Sequence, residues 1–192
     1  YAARIKPGDR VLIEATTAAE PLVRALYSRI MEVGGHPVPL LELPDQEEIF
    51  FANANDSQLD YPPTFRKIAY DQFESRIRVA SLLNTRALTG VEPKKLAKRQ
   101  KAISQVIEAQ MRRGATGEFK WVTTLYPTAG YAMEAEMSLK DYENFVYRAC
   151  HADQADPVAY WKSVETEQAK MISRIAGKHQ VNDNYGQKGR EK

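Results

Sequence analysis

Hydrophobic and polar positions along this chain switch repeatedly between an extended and a helical spacing. Val11-Leu12-Ile13 is a short apolar run that predicts a buried strand, preceded by a turn at Lys6-Pro7-Gly8-Asp9. Leu22, Leu26, Ile30 and Val33, with Val23 beside them, form a stripe at helical spacing. Thr17-Ala18-Ala19-Glu20 has the form of a capping box at the start of that helix. Gly34-Gly35 ends it, because glycine takes the left-handed cap at little cost. Val38 to Leu43 is again extended, and Pro37 and Pro39, which lack ladder donors, make it an edge strand. The unit is strand–helix–strand, which implies a parallel pair joined by a right-handed crossover.

The same alternation continues. Asp45 to Asn53 predicts a short helix. Phe65, Ile68, Ala69 and Phe73 mark another, and Ile77 to Leu83 a strand. Pro93 opens a long helix whose inner face is expected to be Leu96, Ile103, Ile107 and Met111, ending near Gly114. Trp121 to Leu125 is the next strand. The last third is helical. Ser138-Leu139-Lys140-Asp141 is a second capping box, with Met137 and Tyr142 placed for a hydrophobic staple, and Tyr142, Phe145, Val146 and Ala149 expected to be buried. Asp156-Pro157 opens a final helix, capped by Gly177, whose Trp161, Val164, Met171, Ile172 and Ile175 would face the sheet or a partner. The fold class expected is α/β: an open, mostly parallel sheet flanked by helices, with a helical carboxyl-terminal third. Residues 1–181 would form one domain, and the polar stretch 182–192 a mobile tail or the end of a fragment. Tyr1 to Ile5 reads as the last turn of a helix that began earlier, so the chain is expected to be part of a longer one.

Composition narrows the functional classes. The 192 residues carry a formal net charge of +2, which favours neither nucleic acid nor an anionic membrane. No apolar run approaches the roughly 20 residues of a membrane span. The single cysteine, Cys150, forms no internal disulfide and suggests a reducing, cytoplasmic setting; a small buried residue is the expected role.

Candidate chemistry is sparse. A catalytic zinc site takes about three protein ligands and a two-metal site takes more. Only His36, His151 and His179 are available, and none stands in a His-Glu-x-x-His spacing. Cys150 and His151 are helix neighbours whose side chains diverge by about 100°. The turn after the first strand, Glu14-Ala15-Thr16-Thr17, lacks the glycines of a dinucleotide cradle, and Glu20 is expected to occupy the helix terminus behind it. Lys94, Lys95, Lys98, Arg99 and Lys101 form a basic cluster without interleaved aromatics, which reads as a solvated helix face. No catalytic residue and no metal ligand is assigned to this chain. The segment from Trp121 to Thr128 stands out, because ligands of open α/β sheets gather at the carboxyl ends of strands. Tyr126 and Thr128 would lie there as substrate-facing residues; the same pair also reads as a structural turn, with Pro127 ending the strand.

The same segment carries a resemblance. Trp121-Val122-Thr123-Thr124-Leu125-Tyr126-Pro127-Thr128-Ala129-Gly130-Tyr131-Ala132, then Met137-Ser138-Leu139 and Asp141-Tyr142-Glu143-Asn144-Phe145, then Asp153 and Asp156 to Trp161, resemble the aminopeptidase T and aminopeptidase S family of thermophilic-type metallo-aminopeptidases in order and spacing. Ile5 to Ile13 is similar to that family's first strand, and Asn84 to Lys94 to its strand-to-helix loop. The resemblance implies an amino-terminal α/β domain of a two-domain enzyme that removes amino-terminal residues from peptides. It implies two divalent metal ions of zinc or cobalt type, held by glutamates, histidines and an aspartate of a carboxyl-terminal domain. Nothing here matches those ligand motifs, so no cofactor is expected in this chain, and this chain alone is expected to be inactive. The implied partners are that carboxyl-terminal domain, a peptide substrate and a second subunit of a homodimer. A non-enzymatic binding or assembly domain on the same fold is the alternative.

Overall fold

The computed structural model describes residues 1–177. The expected tail and His179 lie outside the described residues. The chain divides into two compact units, Tyr1–Val146 and Tyr147–Lys192.

The first unit is built on four parallel strands: β1 (Arg10–Thr16), β2 (His36–Glu42), β3 (Ser75–Ala80) and β4 (Lys120–Leu125), in the order β2-β1-β3-β4. Side chains alternate across β1, so its two faces feed two cores. Val11, Ile13 and Ala15 pack with Ala19, Val23 and Ile30 of the segment leading into and along α1 (Glu20–Glu32). Leu12 packs on the other face with Ala69, Tyr70, Val106, Ala109 and Phe119. That second layer comes from α4 (Thr64–Gln72) and α5 (Pro93–Ala115). The architecture is the expected open α/β sheet between helical layers.

β2 is an edge strand, as its prolines predict. His36 donates its N–H to Asp9 O on the β1 side (2.8 Å). Alternation then turns positions 37, 39 and 41 outward, so Pro37 and Pro39 sit where an edge donor would otherwise be offered.

Tyr1 to Arg4 forms a turn, closed by Arg4 N–H to Tyr1 O (3.0 Å), with Arg4 at φ +45°. Several expectations are corrected locally. Thr17 and Glu20 make no capping box: β1 runs on to Thr16, whose Oγ1 accepts from Ala18 N–H (3.3 Å) ahead of a 3-10 turn at Thr17–Ala19, and Glu20 pairs with Arg24 (2.6 Å). In α4, Ala69 and Tyr70 are buried, whereas Phe65 and Ile68 are exposed. In α5 the buried positions are Val106, Ala109 and Gln110, while Ile107 and Met111 are exposed. Two short helices, α2 (Gln46–Asn53) and α3 (Asp56–Asp60), precede α4, and α3 has the capping box Asn55…Gln58. The basic cluster of α5 docks them: Lys98 pairs with Asp56 and Asp60 (3.3 and 3.1 Å), Lys95 donates to Phe51 O (3.3 Å), and Arg99 donates to Tyr61 O (2.5 Å) and lies over the Phe50 ring. This clamping accounts for three of the five basic residues, Lys95, Lys98 and Arg99, at the unfavourable end of the helix dipole.

After β4 come α6 (Ala129–Glu134), α7 (Leu139–Ala149), which crosses the unit boundary, and, in the second unit, α8 (Pro157–Ile175). Ser138 Oγ accepts from Asp141 N–H (3.2 Å) and donates to its carboxylate (2.7 Å) at the start of α7. No residue of α7 is buried, contrary to expectation, and Cys150 is exposed. In the second unit α7 ends with His151 at φ +54°, its ring stacked on Tyr160 (3.6 Å between centroids). Trp161 Nε1 donates to Cys150 O (2.9 Å), and Asp156 Oδ1 accepts from Ala159 N–H (2.9 Å) as the helix cap. These contacts fix the turn between the helices.

Candidate functional site

The chain leaves β1 and β3 toward opposite sides of the sheet, since β2 lies beyond β1 and β4 beyond β3. The gap between the carboxyl ends of β1 and β3 is therefore the switch point at which open α/β sheets bind ligands. Thr16 and Ser81 meet there, both buried. Thr16 N–H donates to Ser81 Oγ (3.1 Å), and Thr16 Oγ1 donates to Ser81 O (2.9 Å). The crevice is thus knotted shut by two short side chains.

The segment above the knot is held from α6. The Thr128 hydroxyl donates to Leu82 O and accepts from Tyr131 N–H (3.4 Å), while Leu82 N–H donates to Tyr131 Oη (3.2 Å). Glu134 accepts from the Thr85 hydroxyl (2.7 Å) and from Arg86 Nε (2.9 Å). The loop that follows β3 is thereby fixed with Leu82 and Leu83 exposed. Thr128 is buried and its hydroxyl is committed to this scaffold. Tyr126 is half-buried and packs against the α1-side core, its N–H on Ala80 O (2.8 Å). Both stand at the strand ends where the sequence puts them.

The Arg86 guanidinium, helped by the Thr85 hydroxyl, holds the Glu134 carboxyl down to about 2. A carboxyl depressed in the fold contributes stability above its ordinary value and loses that contribution as pH falls through the depressed one. A carbon-13 titration of Glu134 should therefore give a midpoint near 2, and R86Q should move it up toward the ordinary carboxylate range. A midpoint unmoved by R86Q would contradict the pairing.

A second cluster lies within the α4–α5 layer. Glu14, buried in β1, accepts from Arg66 Nε (2.7 Å), from Arg76 Nε and from the Tyr70 hydroxyl (3.2 Å). Arg66 also pairs with Glu42, and Arg76 donates to Gln110 Oε1 (3.3 Å). Burial pushes the Glu14 carboxyl up, but the two guanidiniums outweigh it and the net shift is downward. Burial, and then the Glu14 charge, push the Tyr70 phenol upward. Sequence reasoning does not single out this cluster; its one visible signal is an acidic residue in the otherwise apolar Val11-Leu12-Ile13-Glu14-Ala15. Two carboxylates and two guanidiniums balance in the cluster, which joins α4 to the sheet.

Among the described residues no group of three or more His, Cys, Asp or Glu is arranged to hold an ion. His36 begins the edge strand, and His151 is stacked in the α7–α8 turn with Nδ1 against Gln154 Nε2 (2.7 Å). The described residues therefore do not fit a divalent-metal centre. Nor is any described helix long and apolar enough to cross a membrane.

Residues 1–188 match the thermophilic metalloprotease (M29) family. The chain belongs to that family. Among M29 relatives, aminopeptidase 2 of Geobacillus stearothermophilus is 24% identical over 187 residues, covering 91% of this chain and 45% of the relative. The solved structure of wild-type AmpT from Thermus thermophilus superposes with a TM-score of 0.72 at 18% identity, again over 91% of this chain and 45% of the other. The M29 fold of this domain is thus shared, and the chain spans less than half the length of either protein.

Proposed function

We propose that this chain is the amino-terminal, non-metal-binding domain of a metal-dependent aminopeptidase that removes amino-terminal residues from peptides in the cytoplasm. Hydrolysis requires a carboxyl-terminal domain that holds two divalent ions of zinc or cobalt type. The observation that carries this reading is a pairing of two facts. The match to the M29 family runs through residues 1–188, yet more than half of each relative lies beyond the shared region. The ligands are assigned to that further half.

This domain's own contribution is a wall. Its strand ends, with Tyr126, form the substrate-facing edge, and the buried Thr128 supports that edge from beneath. Thr128, Tyr131 and Glu134 fix the Leu82–Arg86 loop so that an apolar surface stands there without rearrangement. A rigid, dry wall helps exclude water from a neighbouring reaction.

Calorimetric titration of the purified chain with zinc or cobalt tests the division of labour. No tight stoichiometric uptake is expected. Tight binding of one or more equivalents, abolished by substituting His36 or His151, would refute it.

A further inference from the structure

The two edges of the sheet are built differently. β2 ends it on one side with Pro37 and Pro39, which offer no donor to an added strand. β4 ends it on the other with no proline in Lys120–Leu125. Lysine commonly guards an open edge, but Lys120 is tied back across the sheet: its Nζ pairs with Asp9 (2.6 Å) and donates to Arg4 O (2.9 Å). Lys120 N–H donates to Glu74 O (3.0 Å) and Tyr126 N–H to Ala80 O (2.8 Å), so the even-numbered residues of β4 bond to β3. The N–H and C=O groups of Trp121, Thr123 and Leu125 therefore point off the sheet, and they have no hydrogen-bond partner among the described residues.

The side chains beside this edge specify what would pair with it. Trp121, Thr123 and Leu125 share one face with Arg76 and Arg78 of β3, which stand opposite Trp121 and Thr123 in register. A Cβ at Gly114 would come within 2.6 Å of Trp121 Cη2, so α5 supports the ring from one side, yet the residue remains 40% exposed. Leu125 is half-buried, and Thr123 between the two is short and exposed. Behind it Arg78 is exposed and has no ion pair or hydrogen bond among the described residues. A strand added to β4 would lie two strand spacings, about 10 Å, from the Arg78 backbone. An arginine laid across a threonine reaches a carboxylate in that position, and the flanking positions of the added strand meet Trp121 and Leu125.

We infer that the β4 edge binds an extended peptide as a fifth strand of the four-stranded sheet, and that this peptide carries an acidic residue between two apolar ones at alternate positions. Its backbone satisfies the outward groups of Trp121, Thr123 and Leu125. Its acidic side chain pairs with Arg78, and its apolar side chains cover Trp121 and Leu125. The site runs along the strand rather than at the strand ends. It needs neither metal nor hydrolysis, so it does not rest on the peptidase reading.

Fluorescence anisotropy of the full chain with labelled, end-blocked peptides tests this. One probe contains valine-threonine-glutamate-threonine-valine, and the other has lysine in place of the glutamate. The wild type should bind the glutamate peptide about tenfold or more tightly than the lysine peptide, and R78E should reverse the order. T123P removes one outward N–H and no bond to β3, so it should weaken the glutamate peptide by about tenfold or more. R78E changes only an exposed position, so it decides the matter alone if T123P fails to fold. No saturable binding by the wild type up to about 1 mM peptide would overturn the inference. So would a preference that R78E leaves unchanged, or a folded T123P that binds as the wild type does. Self-association that T123P abolishes, without peptide uptake by the wild type, would assign the edge to a second copy and overturn it as well.

Discussion

Replacing Glu14 by alanine should lower the stability of the fold by about 3–5 kcal/mol, because it leaves the Arg76 guanidinium in the α4–α5 layer without a counter-charge and Arg66 with Glu42 alone. Arg76 is only 12% exposed and Arg66 27%, so neither recovers full hydration when the carboxylate is gone. Urea unfolding of E14A and of R76M should each show a large loss. The double variant should lose less than the sum, by about 1 kcal/mol or more, since the orphaned charge is removed with its partner. The pH sign follows from the downward shift of Glu14. Its contribution is fully present above the carboxyl's unfolded value and disappears as pH falls through the lower, folded one. Acid unfolding of the wild type should therefore be steeper than that of E14A. Additive losses in the cycle would show that Glu14 and Arg76 are not coupled.

Gly130→Ala should destabilise the chain by about 1–3 kcal/mol, although alanine is intrinsically better in a helix by about 1 kcal/mol. The second position of α6 lies against the loop after β3. A Cβ there would sit 2.8 Å from the Leu83 carbonyl carbon and 3.1 Å from Leu82 O, both backbone atoms. The usual relief, a small shift of the neighbour, is blocked because Thr128 and Tyr131 bind the Leu82 carbonyl and N–H. Gly90→Ala is the control, since nothing lies within 4 Å of a Cβ at that position. It should be neutral within about 0.5 kcal/mol. Thermal melts of the two variants check the contrast, and equal midpoints would remove the close approach from the account.

The strands were legible because buried parallel strands are short apolar runs, as Val11-Leu12-Ile13 is, and because Pro37 and Pro39 are tolerated only at an edge. Helix faces were harder to read. Ile107 and Met111 of the apolar stripe of α5 are exposed, while the side that meets Leu12 and Phe119 is built from Val106 and Ala109, with the polar Gln110 buried beside them. Close packing favours small residues there, and Gln110 is needed by Arg76. Periodicity reports which side of a helix is apolar, not which neighbour it meets. The cap at α1 was misplaced by one residue because local pattern cannot see that β1 extends to Thr16, which Ser81 holds from 65 positions away. The Glu14 cluster draws on Glu14, Glu42, Arg66, Tyr70, Arg76 and Gln110, and such long-range pairing leaves no local signature. At the strand ends, Tyr126 and Thr128 were legible as residues of the carboxyl edge. The use of the Thr128 hydroxyl on Leu82 was not, because that contact exists only once β3 and α6 are brought together.

We propose that any peptidase chemistry of this M29 chain depends on polypeptide beyond the domain described. This is tested most directly by incubating the purified chain with an aminoacyl-anilide and added zinc or cobalt, with and without a chelator. The account predicts no release of the amine above the protein-free control. Sustained turnover that the chelator abolishes would contradict it.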